Sequence, residues 1–446
     1  MKKKHSTSRR AFMKQTSVLA GGALALPLLS KANFFSGAND TIRIALIGCG
    51  GRGTGAAFQA LKTTQNVKLV AMADAFRDRL DGCYKSLTAD DLSDSMGVEG
   101  NPIKAKIDVP EAHRFTGFDA YQKAIALADA VILATPPGFR PIHFAEAINQ
   151  NKHVFMEKPV AVDTAGVLTV LEAAEKAKQK KLNVVVGLQR RYQNSYRELF
   201  GRKEMIGDII SAQAWWNNDG VWVNARKPGQ TEMEYQMRNW YYFNWLCGDH
   251  ITEQHIHNID VVNWFKGAYP VKAQGMGGRQ VRTGKDSGEI FDHHFVEFHY
   301  ADGSILNSQC RHIPGTMSKV DELLVGTKGN IYCGAARIND KAGKVLYQFD
   351  KQKENNPYQT EHDELFAAIA KGEYKFADAE NGAKSSMTSI MGRMATYSGQ
   401  VLEWDKLLAK PMSIMPKTFD WNAAMPLNPD ADGRYPIAIP GKTKYA

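Results

Sequence analysis

The sequence is poor in the features that mark disulfide-bonded, zinc-binding and membrane-spanning proteins. Only five of its 446 residues are cysteines. They are scattered without a Cys-x-x-Cys pair, which argues against both a zinc site and a disulfide framework. No segment beyond residue 32 has an apolar run long enough to cross a bilayer. We therefore expect a protein without a metal site and without a membrane span.

Most of the chain also lacks an excess of positive charge. The formal net charge is +9. Residues 1–32 contribute seven lysines and arginines and no acidic residue, and removing them leaves about +2 for the rest. Because no basic patch remains that would need a polyanion, we expect no nucleic-acid partner. Internal repeats and low-complexity tracts are missing as well, and 446 residues are enough for two domains.

The charge at the beginning of the chain belongs to a segment with the character of an export signal. Ser8-Arg9-Arg10-Ala11-Phe12-Met13-Lys14 resembles the twin-arginine motif, and a short apolar stretch follows it from Val18 to Leu29. Ser30-Lys31-Ala32 has the small-x-small pattern of a cleavage site. We therefore predict a twin-arginine signal peptide over residues 1–32 and export of the protein to the periplasm.

A glycine-rich turn lies between a predicted strand and a predicted helix. The aliphatic run Ile42 to Ile47 indicates a buried parallel strand. Three glycines with GxGxxG spacing follow it, and Thr54 to Lys62 then has a helical pattern. This order is typical of a turn that binds the pyrophosphate of a dinucleotide at a helix N-terminus. The residues assigned to the cofactor here are Gly48, Gly50, Gly51, Arg52 and Gly53.

An acidic residue follows the next apolar run at the spacing that dinucleotide-binding folds use. Val67 to Ala73 predicts a second strand, and Asp74 comes 21 residues after Gly53. A carboxylate at this place accepts hydrogen bonds from the adenosine ribose and repels a 2′-phosphate, which favours NAD over NADP. Arg77 is the counter-argument, because an arginine nearby can hold a 2′-phosphate. The alternative interpretation of the turn is a glycine-rich loop of another doubly wound fold.

Two further short strands are predicted to end in residues suited to a ligand site. Asp129 to Ala134 predicts one of them, and His153 to Met156 predicts the other. Ligands bind at the carboxyl ends of strands in open α/β sheets. We therefore add the residues after these strands to the cofactor site, namely Thr135, Pro136, Pro137, Glu157 and Lys158.

With Thr135-Pro136-Pro137 and Glu157-Lys158-Pro159 in place, the chain resembles the Gfo/Idh/MocA oxidoreductases over roughly residues 41–405. This is the family of glucose–fructose oxidoreductase and inositol 2-dehydrogenase. In the family the lysine lies beside the nicotinamide and the substrate hydroxyl, which implies a catalytic role for Lys158.

The resemblance also implies an α/β fold with two domains. The first is an N-terminal Rossmann dinucleotide-binding domain over residues 40–160. The second is a C-terminal α/β domain over residues 161–405 that has an open, mostly antiparallel mixed sheet and binds substrate. Through this sheet we expect a homo-oligomer, either a dimer or a tetramer. Residues 406–446 are rich in proline and poorly periodic, and we expect an irregular tail there.

A polar stretch and an aromatic stretch in the second half of the chain are candidates for the substrate side. Gln189-Arg190-Arg191-Tyr192 looks like the substrate-side segment of the family, so we assign Gln189 to the cofactor and Arg190 and Tyr192 to the substrate. Residues 218–247 are dense in aromatic side chains. Such rings either build a core or stack on the CH faces of a sugar, and Trp240 is the candidate for stacking.

A helix with four clustered polar residues supplies the other catalytic candidates. Glu253 and His257 are four residues apart and share one helix face. In the family an acid and a histidine occur at this spacing, which implies catalytic roles for both. The acid is usually Asp there, so Glu253 either reaches the substrate or orients His257. Asp249 and His250 are further substrate-binding candidates, and the four residues are also a possible metal-ligand set that ranks below proton transfer.

Together these residues predict an NAD-dependent oxidoreductase that transfers a hydride between a ring hydroxyl of a sugar, glycoside or cyclitol and a tightly held nicotinamide. His257 is the expected base and Lys158 the expected donor to the developing alkoxide. The alternative is an NAD-dependent glycosidase that acts by transient oxidation, elimination and re-reduction. Export to a compartment with little free NAD predicts that NAD stays bound and is recycled, with the tail after residue 405 as a candidate cover.

Overall fold

The computed structural model describes residues 40–445, and the predicted signal peptide lies outside the described residues. Two β-sheets and the helices around them belong to one compact unit. The strands are β1 (Ile42–Ile47), β2 (Val67–Asp74), β3 (Arg114–Thr116), β4 (Ala130–Leu133), β5 (His153–Met156), β6 (Val184–Val186), β7 (Ile209–Asn218), β8 (Lys272–Gly278), β9 (His293–His299), β10 (Ile305–His312), β11 (Lys319–Gly326), β12 (Gly329–Tyr332), β13 (Arg337–Asp340), β14 (Val345–Gln348) and β15 (Leu402–Glu403).

Helices cover the first sheet and one side of the second. The α-helices are α1 (Gly51–Lys62), α2 (Arg77–Thr88), α3 (Ser93–Met96), α4 (Ala120–Ala126), α5 (Arg140–Asn149), α6 (Thr164–Gln179), α7 (Asn194–Phe200), α8 (Glu232–Arg238), α9 (Asn244–Cys247), α10 (His250–Glu253), α11 (Ile256–Lys266), α12 (Pro357–Ala370), α13 (Ala379–Ser398) and α14 (Trp404–Ala409). Short 3₁₀ helices span Lys104–Lys106, Glu111–His113, Pro137–Phe139, Gln189–Tyr192, Lys203–Ile206, Trp240–Tyr242, Lys285–Ser287 and Lys351–Lys353. Of the described helices, none combines the length and the apolar character that a membrane span needs.

The first sheet is a parallel Rossmann sheet in the order β3-β2-β1-β4-β5-β6. Its central strands are almost entirely aliphatic and buried, as expected for strands covered on both faces. The strand order reverses between β1 and β4, and this is where such sheets bind ligands. The predicted Rossmann fold is therefore confirmed. The sheet continues to Val186 through β6, beyond the predicted domain boundary at residue 160, because β6 pairs with β5 after the long helix α6.

The second sheet is mixed and runs in the order β14-β13-β12-β11-β7-β10-β9-β8-β15. All of its pairings are antiparallel except the one between β7 and β10. Residues of β9 and β10 alternate between buried and half-buried, so one face packs on helices and the other is open. This arrangement confirms the predicted open, mostly antiparallel mixed sheet.

Helix α13 joins the two halves of the molecule. It packs against β8 and β9 on one side and against α6 on another. Its buried face is rich in small residues and methionine, which permits close packing. After α14 the chain from residue 410 to residue 445 contains neither a helix nor a strand, as predicted for the tail.

Candidate active site

A cavity of about 750 Å³ lies at the carboxyl ends of β1, β2, β4 and β5 and reaches toward α10 and the inner end of β7. We call it the central cavity. Predicted catalytic and cofactor residues meet on its wall. Those cofactor residues are Gly48, Gly50, Gly51, Arg52, Asp74, Thr135, Pro136, Pro137, Glu157, Lys158 and Gln189.

The three glycines of the turn have different structural roles. Gly48 has φ +96°, and a Cβ there would lie 2.5 Å from the backbone of Ala134. A Cβ on Gly53 would lie 1.9 Å from the carbonyl oxygen of Gly48, so Gly53 serves helix–strand packing and does not line the cavity. A Cβ on Gly50 would meet nothing within 4 Å. This open space next to the first turn of α1 fits a pyrophosphate group.

Asp74 is held at the rim of the cavity by backbone donors. The amide of Cys49 donates to its Oδ2 at 2.7 Å, and the amide of Phe76 donates to its Oδ1 at 2.9 Å. Burial raises the pKa of Asp74, and these two hydrogen bonds oppose that shift. The carboxylate retains lone pairs for the hydroxyls of a ribose.

Arg77, the residue that could favour NADP, does not lie on the wall of the cavity. Arg77 pairs with Asp81 at 2.9 Å and with Glu111 at 2.6 Å and does not line the cavity. Arg79, two residues further along α2, does line it. Of Asp74 and Arg77, only Asp74 therefore lines the cavity, with Arg79 as its charged neighbour.

Lys158, Glu253 and His257 face one another across the cavity. The Nζ atom of Lys158 donates to the backbone carbonyl of Glu253 and, at 3.1 Å, to the carboxylate of the same residue. Glu253 thus pairs with Lys158, and no hydrogen bond joins it to His257 in the described part of the chain. Burial raises the pKa of Glu253, whereas Lys158 lowers it.

The imidazole of His257 is neutral in this environment. Burial and then the nearby Lys158 hold the pKa of His257 well below its usual value. Its Nδ1 atom is enclosed without a hydrogen-bond partner, which leaves Nε2 to face the cavity. The ring stacks on Trp216, with the centroids 5.8 Å apart. The unprotonated nitrogen of a neutral imidazole can accept a proton, and the burial and the Lys158 charge that lower the pKa of His257 make it a weaker base than a free histidine.

Four of the predicted substrate-binding residues lie away from the cavity, whereas Trp240 and His257 line it. Arg190 forms an ion pair with the buried Glu322. The hydroxyl of Tyr192 donates to Asp378 at 2.6 Å. Each of these side chains pairs with a partner far along the chain and does not line the central cavity.

Asp249 and His250 are the other two, and both are fully buried. The carboxylate of Asp249 accepts from the backbone of Phe291 at 3.0 Å and from the hydroxyl of Tyr397 at 2.6 Å. His250 and His294 contact the same carboxylate at 2.7 and 3.2 Å. Although burial opposes it, His294 and His250 keep the pKa of Asp249 well below its usual value.

The suggested metal-ligand set of Asp249, His250, Glu253 and His257 is not assembled. Glu253 and His257 line the cavity, whereas Asp249 and His250 lie in the core. Ligand atoms of Asp249, His250 and His294 do lie within 4.8 Å of one another. The oxygens of Asp249 are already occupied by protein donors, however, so a cation would have to displace them.

Several cavity residues were missed by sequence reasoning. Gln254 follows Glu253 directly and lines the cavity, and Trp216 reaches it from the end of β7. Phe76 and Phe118 border the side where Asp74 lies. Tyr358 comes from the start of α12, and its ring lies 5.2 Å from the guanidinium of Arg52. Trp216, Phe118 and Tyr358 come from other parts of the chain, whereas Gln254 and Phe76 lie next to predicted residues but belong to no motif.

Comparison with known proteins agrees with the Rossmann fold of the first sheet. Residues 42–186 match the family model GFO_IDH_MocA, described as an oxidoreductase family with an NAD-binding Rossmann fold. The chain is 31% identical over 147 residues to an inositol 2-dehydrogenase of Gluconacetobacter diazotrophicus, across 32% of this chain and 37% of that protein. It is 24% identical over 244 residues to the 2,7-anhydro-N-acetylneuraminate hydratase of Escherichia coli, across 52% of this chain and 59% of that protein. The matched part thus spans less than two thirds of either relative.

A solved structure extends the likeness of fold to the second sheet. Scyllo-inositol dehydrogenase from Lactobacillus casei, with bound NAD(H) and scyllo-inositol, superposes with a TM-score of 0.59 at 18% identity. The superposition covers 82% of this chain and 100% of that chain. Residues 42–186 are therefore a Rossmann domain of the type that this family model describes, and the prediction of NAD as the cofactor is confirmed.

Proposed function

We propose that the protein is an NAD-dependent oxidoreductase that acts on a ring hydroxyl of a sugar or cyclitol. One observation carries the proposal. Lys158, Glu253 and His257 converge on the same cavity as the glycine turn and Asp74. A cation, an acid and a neutral imidazole next to a nicotinamide site are the groups that oxidation of a secondary alcohol needs. The likeness to inositol dehydrogenases supports a polyol as the substrate.

The residues divide the work between binding and proton transfer. NAD, when bound, supplies the hydride acceptor. Gly50 leaves room for its pyrophosphate, and Asp74 accepts hydrogen bonds from its ribose. Thr135, Pro136 and Pro137 form the wall beside them.

Lys158 and His257 act on the hydroxyl that is oxidised. The ammonium group of Lys158 donates to the hydroxyl oxygen and stabilises its developing negative charge. His257 accepts the hydroxyl proton at Nε2, the ring nitrogen that is not enclosed. The ion pair with Glu253 holds the Lys158 ammonium in place at 3.1 Å. The flat faces of Trp216 and Trp240 suit the CH faces of a ring.

The alternative of glycoside cleavage receives no support from the two relatives, whose names are those of a dehydrogenase and a hydratase. The proposal is tested by incubating the purified protein and NAD with myo-inositol, scyllo-inositol, glucose and a nitrophenyl glycoside in turn, while NADH, free or bound to the protein, and released aglycone are measured. Formation of NADH with at least one polyol is the expected result. Release of an aglycone from a glycoside without net NADH formation would overturn the proposal in favour of the glycosidase.

A further inference from the structure

Gln254 lines the central cavity, and two neighbouring side chains hold its amide oxygen. It follows the last residue of α10 and lies between Trp216 and His312. The indole Nε1 of Trp216 donates to its Oε1 at 3.0 Å. The Nε2 of His312 lies 2.9 Å from the same oxygen. Two groups from the second sheet therefore hold one atom of this side chain.

The chemistry of these neighbours fixes which way the amide points. An indole nitrogen can only donate, so the amide atom that it reaches is the oxygen. A guanidinium can also only donate, and Arg282 lies 2.7 Å from the Nδ1 of His312. Nδ1 is therefore the acceptor, the ring hydrogen is on Nε2, and Nε2 donates to Gln254.

His312 keeps this form over the ordinary pH range. Burial, followed by the neighbouring His250 and Arg282, holds the pKa of His312 far below its usual value, so the ring stays neutral. A neutral ring has one hydrogen, and Arg282 determines which nitrogen carries it. The hydrogen-bond chain from Arg282 through His312 to Gln254 thus has a single direction.

The consequence appears at the other atom of the amide. Both lone pairs of Oε1 are used by Trp216 and His312. In the part of the chain that the structure describes, Nε2 of Gln254 donates to no protein group. Because the side chain lines the cavity, its free N–H groups are available to a ligand there. To a ligand in the cavity, Gln254 therefore presents only hydrogen-bond donors.

The position of these donors relates them to the reacting groups. Lys158 binds the carbonyl of Glu253, one peptide unit from Gln254. Trp216 contacts both His257, through ring stacking, and Gln254, through its indole nitrogen. The amide is thus linked to Lys158 through the Glu253 peptide unit and to His257 through Trp216, and all three side chains line the same cavity.

We propose that Gln254 is a specificity-determining residue that donates a hydrogen bond to a substrate oxygen on the carbon next to the one that is oxidised. A polyol that lacks this neighbouring oxygen should then be a poorer substrate than its parent. His312 and Arg282 are positioning residues that act through Gln254. This inference rests on the proposed function, since it presumes that Lys158 and His257 mark the oxidised carbon.

The test compares polyols that differ at one neighbouring oxygen. Glucose and myo-inositol are each assayed beside their deoxy and deoxyfluoro analogues, because fluorine accepts a hydrogen bond but does not donate one. For the wild type we expect the parent polyol to exceed the deoxy analogue in kcat/KM by roughly tenfold or more, with the fluoro analogue between them. In Gln254→Met the parent and deoxy analogues should approach the same kcat/KM, because the donors are gone.

Gln254→Glu removes the hydrogen-bond donor to the substrate while it keeps the contacts that hold the side chain in place. Its carboxylate still accepts from Trp216 and His312 but turns a second acceptor toward the substrate. The fluoro analogue should therefore lose its advantage over the deoxy analogue in this variant. Gln352→Met, at an exposed position outside the cavity, is the matched control and should behave as the wild type.

Variants of His312 test the positioning role. His312→Phe should reduce the preference for the parent polyol, and His312→Gln should restore it, because a glutamine has one acceptor for Arg282 and one donor for Gln254. NADH binding by fluorescence should be unchanged in each variant. A wild type that oxidises a polyol while Gln254→Met keeps the full preference overturns this inference alone. A wild type that neither oxidises nor binds any polyol of the series overturns the proposed function together with it.

Discussion

At the level of single residues, Glu253 pairs with Lys158 and forms no hydrogen bond with His257 in the described part of the chain. The sequence left open whether Glu253 contacts the substrate or orients His257. In the structure its carboxylate reaches Lys158 at 3.1 Å and leaves His257 without an acidic partner among the described residues. In the proposed reaction Glu253 therefore holds the Lys158 ammonium, and His257 acts as a base without an acidic partner.

Substitution of the two proton-handling residues should separate catalysis from cofactor binding. Lys158→Ala and His257→Ala should each lower kcat by roughly 10²-fold or more, as expected for lost general acid–base catalysis. NAD binding by fluorescence titration should change much less than kcat, because Gly50 and Asp74, at the expected pyrophosphate and ribose positions, remain in place. Near-normal turnover in both variants would show that other groups carry the reaction.

The pH dependence of kcat/KM should report Glu253 and not His257. The pKa of Glu253 is raised by burial above its ordinary 4.5, whereas that of His257 is lowered. As the pH falls through the raised value, Glu253 becomes neutral and Lys158 loses its ionic partner, so activity should decrease. In Glu253→Gln the acid limb should move to lower pH, because only His257 remains to be protonated. An acid limb near 6.5 that is identical in both proteins would mean that His257 titrates at its ordinary value.

At the level of secondary-structure elements, the unit of β1, α1 and β2 was predictable because its signals are local. The positions of Gly48 and Gly53 follow from packing against the adjacent strand and helix, and Asp74 ends the next strand. By contrast, Arg190 and Tyr192 looked available for substrate because their partners, Glu322 and Asp378, lie more than a hundred residues away. No local pattern announces such contacts, and the same holds for Gln254.

The preference between NAD and NADP is also expected to depend on this unit, because Asp74 ends β2. Wild-type protein should bind NAD at least roughly tenfold more tightly than NADP, a difference of about 1.4 kcal/mol. Asp74→Ala should reduce this difference in affinity between NAD and NADP. The substitution removes the acceptor for the ribose hydroxyls and leaves Arg79 on the cavity wall. Asp81→Ala, which removes only a partner of Arg77 on the exposed side of α2, is the matched control. Equal binding of both cofactors to the wild type would contradict the role of Asp74.

At the scale of the whole molecule, two segments from the C-terminal half close over the edge of the Rossmann domain. Arg238 at the end of α8 pairs with Asp78 at 3.0 Å and covers the ring of Phe76 at 4.0 Å. Trp421, in the tail, packs on Phe76 at 5.1 Å and on Phe118 at 4.7 Å. Phe76 and Phe118 themselves line the central cavity on the side of Asp74. The tail thus supports the wall against which the adenosine part of NAD would lie.

This cover leads to a prediction about how the cofactor is kept. We propose that residues 1–32 direct export by the twin-arginine route, which moves folded proteins. The enzyme would then load NAD before export and retain it where little free NAD is present. Protein purified without added nucleotide and then denatured should release NAD in near-stoichiometric amount. Trp421→Ala should release less NAD, because Phe76 and Phe118 lose their support. The control is Trp404→Ala, which should match the wild type, because the Trp404 ring packs on Tyr269 elsewhere in the molecule. A wild type that is empty and turns over only with millimolar NAD, or a reporter fusion that stays in the cytoplasm, would instead indicate an ordinary dehydrogenase that exchanges its cofactor at every turnover.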